Sequence, residues 1–415
     1  MGKKRLLYYG DTPNVATGFG NVARHVLGRV LDRYDITVFG VNEYFVNPNP
    51  LPVARTIAAL PNPQNDPYGK QKFVEFLTGP GSANNNFDIW FLQNDIHAWG
   101  WLPEIVTVLR SKGRDPHIFT YTVVDSPVRR EDTWFLGCVD VAGIPSQYGV
   151  DEIIRVDPSV AYKLRHIPHG IDTSEFFPMP KDLVKKFRRD TMNCHDQEFL
   201  IINVNRNSMR KEIGRTLLYF SHLRKRCPNA RLYLHMDRNE EGYRGWDLNR
   251  VIDTNRSVLQ NVAFPQDFNT NQGVDVTVLN MLYNAANVVI STTAGEGFGL
   301  SCIEAMAAHS LVMMADNSSL SELMADGRGI PIRCGTTPSE WTIHSHDPGH
   351  FRPLVNIEDM VAKTEKIIRN YPSDVSDRGY QWVTSKLLWD DVVKLFIAGF
   401  DDVIPNLSIP GRIEL

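Results

Sequence analysis

The stretch RLLYYGDTPNVATGFGNVARHVLGRVLDRYDITVFG, residues 5–40, determines the fold class. Its first apolar run, residues 5–9, predicts a buried strand, and a loop ending at Thr17 and Gly18 follows. Apolar residues then recur at helical spacing up to Leu31, and residues 35–40 supply a second strand. A strand, a helix and a strand at this spacing predict a right-handed parallel βαβ unit. Its first loop would lie at the carboxyl edge of the sheet, where such sheets bind ligands.

The same alternation of strands and amphipathic helices continues to about residue 168 and starts again at residue 199. Residues 170–181 lie between the two series, and Pro178 and Pro180 there block continued helix or sheet. We therefore expect an α/β protein with two Rossmann-like, doubly wound parallel-sheet domains. The expected divisions are an N-terminal domain of residues 1–170, a C-terminal domain of residues 171–390, and a helix and tail of residues 391–415.

The composition excludes several classes of protein. Of 415 residues 42% are hydrophobic and 22% are charged, and no segment reaches the roughly 20 apolar residues that span a bilayer. The apolar stretch at the N-terminus stops at Gly10, too soon for a secretory signal, so we expect a cytoplasmic protein. The five cysteines form no CxxC pair, which disfavours a structural zinc site, and the net charge of −4 provides no global attraction for nucleic acid or membranes.

The residues that carry the most chemistry are STTAGEGFGLSCIEAM, residues 291–306. A strand ends at Thr292, a glycine-rich loop follows, and a helix begins near Gly299. Such a turn aims unpaired N–H groups and the positive end of a helix at an anion, and a diphosphate would fit there. Glu296 in the loop and Glu304 in the helix could accept hydrogen bonds from sugar or ribose hydroxyls. The alternative is an acid at a helix N-terminus and a solvated helix glutamate.

A second group of candidate residues is NVNRNSMRK, residues 203–211, where a strand runs into a polar loop. Arg206 and Lys211 could converge on one diphosphate, the guanidinium as a fork and the ammonium as a point charge. The alternative is that both cations are simply solvated at the end of a strand. The spacing of this segment upstream of Glu296 favours the binding role.

Taken together, EGFGLSCIEAMA resembles the Glu-x7-Glu signature of family 4 glycosyltransferases, which are retaining enzymes with the GT-B fold. The resemblance implies that Glu296 binds the donor sugar and Glu304 the nucleotide ribose. It also implies donor contacts from the backbone amides of the turn, Gly297, Phe298, Gly299 and Leu300. It further implies that the helix and tail of residues 391–415 could pack on the N-terminal domain. The segment at residues 203–211 resembles the family's Gly-Arg-Leu…Lys-Gly element, with Arg206 and Lys211 in its cationic positions and Asn205 where glycine is usual.

Segments of the N-terminal half also resemble the family. Gly18 and Gly20 stand where the family has a glycine-rich loop over the donor phosphates, although a glycine that opens a helix is common. His97 lies in a segment similar to the one that carries a histidine near the transferred sugar, and a plain surface histidine is the alternative. Arg129 and Arg130 end another strand at the same edge and could meet an acidic acceptor or lie in solvent. The Asn- and Pro-rich insert at residues 42–66 is expected to be a surface excursion or to cover the acceptor.

The resemblance implies transfer of a sugar from a UDP-, GDP- or ADP-sugar to an acceptor hydroxyl, with retained anomeric configuration. Glu296, Arg206, Lys211 and His97 would be the catalytic residues. The absence of an Asp-x-Asp motif leads us to expect no metal and no further cofactor. A looser resemblance to a subgroup from phages and archaea keeps a DNA glycosyltransferase acting on a hydroxymethylated base as an alternative.

Other functions stay open at this point. A GT-B epimerase or phosphorylase, and a non-catalytic nucleotide-sugar-binding protein, would use a similar scaffold. A dinucleotide oxidoreductase is disfavoured because no GxGxxG motif follows the first strand. The acceptor, whether small molecule, glycan, lipid-linked sugar, protein or modified DNA, and the oligomeric state are left open by the sequence.

Overall fold

The computed structural model describes residues 2–42, 50–59, 66, 68–238, 245–266, 268, 273–344 and 349–401. They form two units. Residues Ile171–Leu388 make the second unit, and the described residues before and after that range make the first. Most of the insert at residues 42–66, and the tail beyond residue 401, lie outside the described residues.

The first unit is built on one sheet, to which seven strands of the described chain contribute in the order β3-β2-β1-β4-β5-β6-β7. All neighbouring strands in it run parallel. The strands are β1 (Lys4–Asp11), β2 (Tyr34–Val41), β3 (Arg55–Ala58), β4 (Ile89–Asp95), β5 (His117–Val123), β6 (Val141–Ile144) and β7 (Leu164–His166). The helices that precede the second unit are α1 (Gly18–Gly28), α2 (Lys70–Thr78), α3 (Leu102–Ser111) and α4 (Gln147–Val156).

The first βαβ unit shows why this sequence folds as it does. β1 lies between β2 and β4, and the run of consecutive buried residues along it shows that its side chains are covered on both faces of the sheet, as is usual for parallel strands. α1 begins directly after Thr17, whose Oγ1 accepts a hydrogen bond from the Gly20 N–H at 3.0 Å. The same hydroxyl donates to Asp11 Oδ2 at 2.5 Å, which ties the start of the helix to the end of the strand.

The second unit repeats this design. Within its described residues six parallel strands lie in the order β10-β9-β8-β11-β12-β13. They are β8 (Phe199–Val204), β9 (Ala230–His235), β10 (Val262–Ala263), β11 (Val288–Ser291), β12 (Val312–Ala315) and β13 (Ile330–Ile332). A small antiparallel pair, β14 (Trp341–Thr342) and β15 (Arg352–Pro353), follows. The helices are α5 (Lys181–Asp190), α6 (Ile213–Arg226), α7 (Leu248–Thr254), α8 (Val276–Ala285), α9 (Leu300–Ala307), α10 (Ser318–Met324), α11 (Ile357–Arg369) and α12 (Ser373–Lys386).

The last described helix, α13 (Trp389–Phe400), belongs to the first unit. The Phe396 ring lies 4.8 Å from that of Tyr121 on β5, and the Phe400 ring lies 5.1 Å from that of Phe119. The end of the described chain therefore completes the core that its beginning forms.

The expected fold class is confirmed, because both sheets are parallel and doubly wound. The alternation of apolar runs did not predict the short strands β3, β10 and β13, or the helices α2, α4 and α7. Among the described residues no helix is both long and apolar enough to cross a membrane.

Candidate functional site

Three loops of the second unit meet at the carboxyl edge of its sheet. β8, β11 and β12 are adjacent and parallel, so the loops that follow them lie side by side. The Ala294 N–H, after β11, donates to the Arg210 carbonyl, after β8, at 2.9 Å. Asn317, after β12, donates from Nδ2 to the Thr293 carbonyl at 2.9 Å. Hydrogen bonds therefore hold the three loops together at the switch point between β8 and β11, where doubly wound sheets bind ligands.

Glu296 is the centre of a charged cluster at this edge. Lys211 Nζ contacts Glu296 Oε1, and Arg210 Nη1 lies 3.5 Å from Glu296 Oε2. The side chains of Lys211 and Glu296 are 13% and 14% exposed, so the ion pair is mostly shielded from solvent. Arg210 also donates to the Gly295 carbonyl. An anionic ligand that binds the two cations would release the carboxylate to accept hydrogen bonds from hydroxyl groups.

The backbone of the Glu296 loop is held by the first turn of α10. The Glu296 N–H donates to Ser318 Oγ at 2.8 Å. Ser319 Oγ donates to the carbonyls of Glu296 and Phe298, at 2.8 and 2.9 Å. These hydrogen bonds engage both an N–H group and carbonyl groups of the loop, so they fix its backbone. The Glu296 carboxylate is therefore attached to a backbone that is held in place.

Gly299 ends the loop and starts α9. Its φ of 111° lies where glycine is favoured, and a Cβ at this position would lie 2.7 Å from Leu320 Cδ2. The turn leaves the first amides of α9 at the same edge as the Lys211–Glu296 pair. Gly297 and Phe298 are buried within the turn, whereas Leu300 is half-buried at the start of the helix.

Glu304, one turn into α9, is buried rather than solvated, with 7% of its surface exposed. Its Oε2 accepts a hydrogen bond from the Tyr283 hydroxyl at 2.7 Å. Burial and the nearby Glu304 carboxylate both raise the pKa of Tyr283 well above its ordinary value, so the phenol stays protonated and keeps donating. The hydrogen bond orients the carboxyl group, which suits a residue that accepts hydrogen bonds from the hydroxyl groups of a ligand.

The two cations predicted from the sequence have different environments. Lys211 contacts Glu296, whereas the side chain of Arg206 is exposed in the loop after β8. The second cation in contact with Glu296 is Arg210, which sequence reasoning did not single out. Arg210 and Lys211 lie in one 3₁₀ turn, Met209–Lys211, where consecutive side chains usually diverge. Hydrogen bonds from the loop after β11, among them Ala294 N–H to the Arg210 carbonyl and Thr292 Oγ1 to the Lys211 carbonyl, hold the turn where both side chains reach Glu296.

In the first unit the two candidate glycines differ. Gly20 is buried, and a Cβ there would lie 2.8 Å from the Thr12 carbonyl and also meet the Val15 carbonyl. Its lack of a side chain therefore lets the loop fold over the start of α1. Gly18 is exposed at the first position of the helix.

His97, Arg129 and Arg130 follow β4 and β5 at the carboxyl edge of the first sheet. Arg129 Nη2 lies 2.8 Å from Asp132 Oδ1, and Arg129 Nη1 lies 3.3 Å from Glu131 Oε1. Partial burial opposes ionisation of Asp132, but the hydrogen bonds and charge of Arg129 and the nearby His97 lower its pKa. The structure thus brings His97 and Arg129 together around Asp132, with His97 exposed, and leaves Arg130 exposed at the start of a 3₁₀ helix.

No group of three or more His, Cys, Asp or Glu side chains that could hold a metal ion occurs within the described ranges.

No sequence-family model and no curated protein sequence matches the chain. Solved structures do. Sucrose-phosphate synthase from Thermosynechococcus elongatus aligns with a TM-score of 0.73 at 15% identity, over 96% of this chain and 99% of the other. Anabaena HepE in complex with UDP-glucose aligns with a TM-score of 0.69 at 15% identity, over 96% and 100%. A glycosyltransferase from Rickettsia africae aligns with a TM-score of 0.70 at 14% identity, over 98% and 100%. These likenesses show that the chain has the fold of GT-B glycosyltransferases.

Proposed function

We propose that the protein transfers a glycosyl group from a nucleotide-diphosphate sugar to an acceptor hydroxyl, with retention of anomeric configuration. The observation that carries this proposal is the contact of Glu296 with Lys211 and Arg210 beside the glycine turn that begins α9. Cations and helix amides suit a diphosphate, and a carboxylate between them suits the sugar hydroxyls. The similarity in fold to glycosyltransferases, one of them solved with UDP-glucose, supports the same reaction class.

In this proposal the donor replaces one carboxylate as the partner of two cations. Lys211 and Arg210 carry two positive charges against the single negative charge of Glu296, so the cluster has a net attraction for phosphate. Glu296 then accepts hydrogen bonds from the sugar, and Glu304 accepts them from the ribose. Arg206 and the amides of residues 297–300 complete the contacts with the phosphates.

The chemical step follows from these contacts. The bond from the anomeric carbon to the diphosphate oxygen breaks, and negative charge grows on the departing diphosphate. Lys211 and the other cations stabilise that charge, an electrostatic contribution that is usually the largest in such sites. The acceptor oxygen bonds to the anomeric carbon on the same face, and its proton passes to the departing phosphate. No protein base is required in this scheme.

Charge neutralisation by side chains leads us to propose a reaction that needs no metal ion. For the first unit we propose that Gly18 and Gly20 contact the donor phosphates, that His97 contacts the transferred sugar, and that Arg129 and Arg130 contact the acceptor. As parts of the same proposal, we place the protein in the cytoplasm and assign its sequence to glycosyltransferase family 4.

The test is a donor panel followed by an acceptor screen. The full chain is incubated with UDP-, GDP- and ADP-glucose in EDTA, and release of each nucleoside diphosphate is measured. We expect slow hydrolysis of one nucleotide class, with UDP-glucose the first candidate, and faster release once an acceptor is supplied from a set that includes glycans and duplex DNA with hydroxymethylated bases. Analysis of the product's anomeric configuration tests retention. Strict dependence on added Mg²⁺ or Mn²⁺ would contradict the metal-free scheme, and no turnover of any donor would contradict the proposed function.

A further inference from the structure

The residue that follows Lys211 has an unusual backbone. Glu212 has a φ of 52° and a ψ of 46°, in the left-handed region that glycine adopts freely and a glutamate does not. Its side chain is nevertheless buried, with 7% of its surface exposed. A buried acid in a strained conformation beside a site residue is retained only where its surroundings hold it in place.

Contacts from two other segments hold Glu212. Its carbonyl accepts a hydrogen bond from Thr292 Oγ1 at 2.9 Å, and Thr292 is in turn 2.7 Å from Thr216 Oγ1 in α6. Its Oε1 lies 3.2 Å from Nε2 of His344, which follows β14 and has a side chain that is 8% exposed. The pair therefore connects the turn that carries Lys211 with the segment between β14 and β15.

The charged groups around Glu212 come from three places. Arg215, on the same helix, lowers the pKa of Glu212, but burial has the larger effect and raises it from 4.5 to about 7. His344 faces the carboxyl group from the β14 side. Lys211, next in the chain, contacts Glu296. The charge on Glu212 therefore changes near neutral pH.

We propose that Glu212 and His344 are positioning residues that hold the turn of Lys211 against Glu296 and so set the strength of the contact with the donor phosphate. The inference rests on the proposed function, because it concerns the residue that would bind the diphosphate. Neutral Glu212 is the form that burial favours. As pH rises through about 7, ionisation of the buried carboxyl weakens this hold, and turnover falls.

The experiment measures kcat and KM for hydrolysis of UDP-, GDP- and ADP-glucose across neutral pH. The variants are Glu212→Ala, Glu212→Gln, His344→Ala and His344→Gln in the full chain. We expect the two alanine variants to lose about tenfold or more in kcat/KM, because small displacements of a positioned group are costly. The glutamine variants keep a polar group of similar reach at each position, so they should recover most of that loss. Glu212→Gln, which has no titrating carboxyl, should also lack the fall in rate that the parent shows near pH 7, whereas His344→Gln should keep it.

Asn193→Ala is the matched control. Asn193 has a φ of 47° and precedes β8, at the opposite edge of the sheet from Lys211. Its replacement strains a left-handed backbone without touching the site, so kcat/KM should stay at the parent value.

Two results distinguish the inference from the proposed function. An active parent whose pH profile and kcat/KM are shared by all four variants would overturn the inference alone. A parent that hydrolyses none of the three donors would overturn the proposed function, and the inference with it. If an alanine variant does not fold, Glu212→Gln decides the matter: a fall in rate near pH 7 equal to that of the parent would overturn the inference.

Discussion

At the scale of single residues, the ion pair between Lys211 and Glu296 is the feature on which activity should depend most. We expect Glu296→Ala and Lys211→Ala each to lower donor turnover by about 10²–10³-fold, the typical cost of removing one preorganised charged group from a transition state. Circular dichroism should show an unchanged fold, because both side chains lie at the edge of the sheet and outside its apolar core.

The control for these variants is Lys186→Ala. Lys186 is an exposed cation on α5, in the same unit, so its loss changes the net charge as Lys211→Ala does but should leave turnover unchanged. Near-normal turnover by either site variant would remove that residue from the proposed mechanism.

Glu212 also predicts how stability changes with pH. Its folded-state pKa of about 7 lies above the ordinary value of 4.5, so between these values the folded protein holds a proton that the unfolded chain has released. The free energy of unfolding should therefore fall as pH rises from about 4.5 to about 7. Glu212→Gln has no such proton, and thermal unfolding across this range should show a smaller decline for it than for the parent. An equal decline in both would contradict the raised pKa.

The residues of the candidate site differ in how far the sequence points to them. The glutamates and Lys211 could be proposed as site residues because each belongs to a short motif within one loop or one helix. Arg210 and Glu212 could not, since their roles depend on a hydrogen bond between two loops and on a histidine 132 positions away. Burial of Glu304 against Tyr283 is likewise a contact between two helices that no spacing within one segment encodes.

At the scale of secondary-structure elements, the loop over the start of α1 is a sensitive point. In a helix alanine is favoured over glycine by roughly 1 kcal/mol. At Gly20, however, a Cβ would lie 2.8 Å from the Thr12 carbonyl, and backbone atoms cannot turn away as a side chain can. Overpacking of this kind costs about 1–3 kcal/mol, so we expect Gly20→Ala to be destabilising on balance.

Denaturant unfolding of Gly20→Ala beside Gly137→Ala checks this expectation. Gly137 belongs to the same unit, and a Cβ there would have no heavy atom within 4 Å. The Gly137 variant should unfold at the denaturant concentration of the parent or slightly above it. If both variants unfold at the same denaturant concentration, the loop does not approach Gly20 as closely as the structure shows.

Some elements could be predicted because they repeat one pattern several times. Long amphipathic helices such as α6 and α11 show several repeats of the apolar pattern, and buried parallel strands such as β1 show a continuous apolar run. β13 has three residues and contains Pro331, which removes a backbone donor. It is tolerated because β13 is the last strand in the order of the second sheet, where one side needs no partner.

At the scale of the whole molecule, the order of elements along the chain does not match their division into units. The second unit is one continuous segment, whereas the first is made from both sides of it. The pattern of α13 predicts an amphipathic helix but not the sheet that it covers, since the apolar face of a helix suits either sheet. Its contacts with the first unit assign it there, among them those of its aromatic residues with β4 and β5.

Phe396 tests this assignment. Its side chain has no exposed surface, and its ring lies 5.8 Å from that of Phe91, 5.9 Å from that of Phe119 and 4.8 Å from that of Tyr121. Removal of a buried phenylalanine ring usually costs about 3–5 kcal/mol, because the cavity it leaves collapses only in part. We expect Phe396→Ala to lower the free energy of unfolding of the first unit by this amount. In calorimetry the transition of that unit should therefore occur at a lower temperature. The transition of the second unit, which has a core of its own, should stay in place.

Lys394→Ala, on the same helix, is the control for Phe396→Ala. The Lys394 side chain is 57% exposed and contacts Asp391 in the same helix, so its replacement should shift neither transition measurably. A Phe396→Ala transition that matches the Lys394→Ala transition would mean that α13 does not pack on β4 and β5 in solution. A drop confined to the first unit would establish that the last helix stabilises the sheet formed by the first strands, because Phe91, Phe119 and Tyr121 of that sheet contact the lost ring.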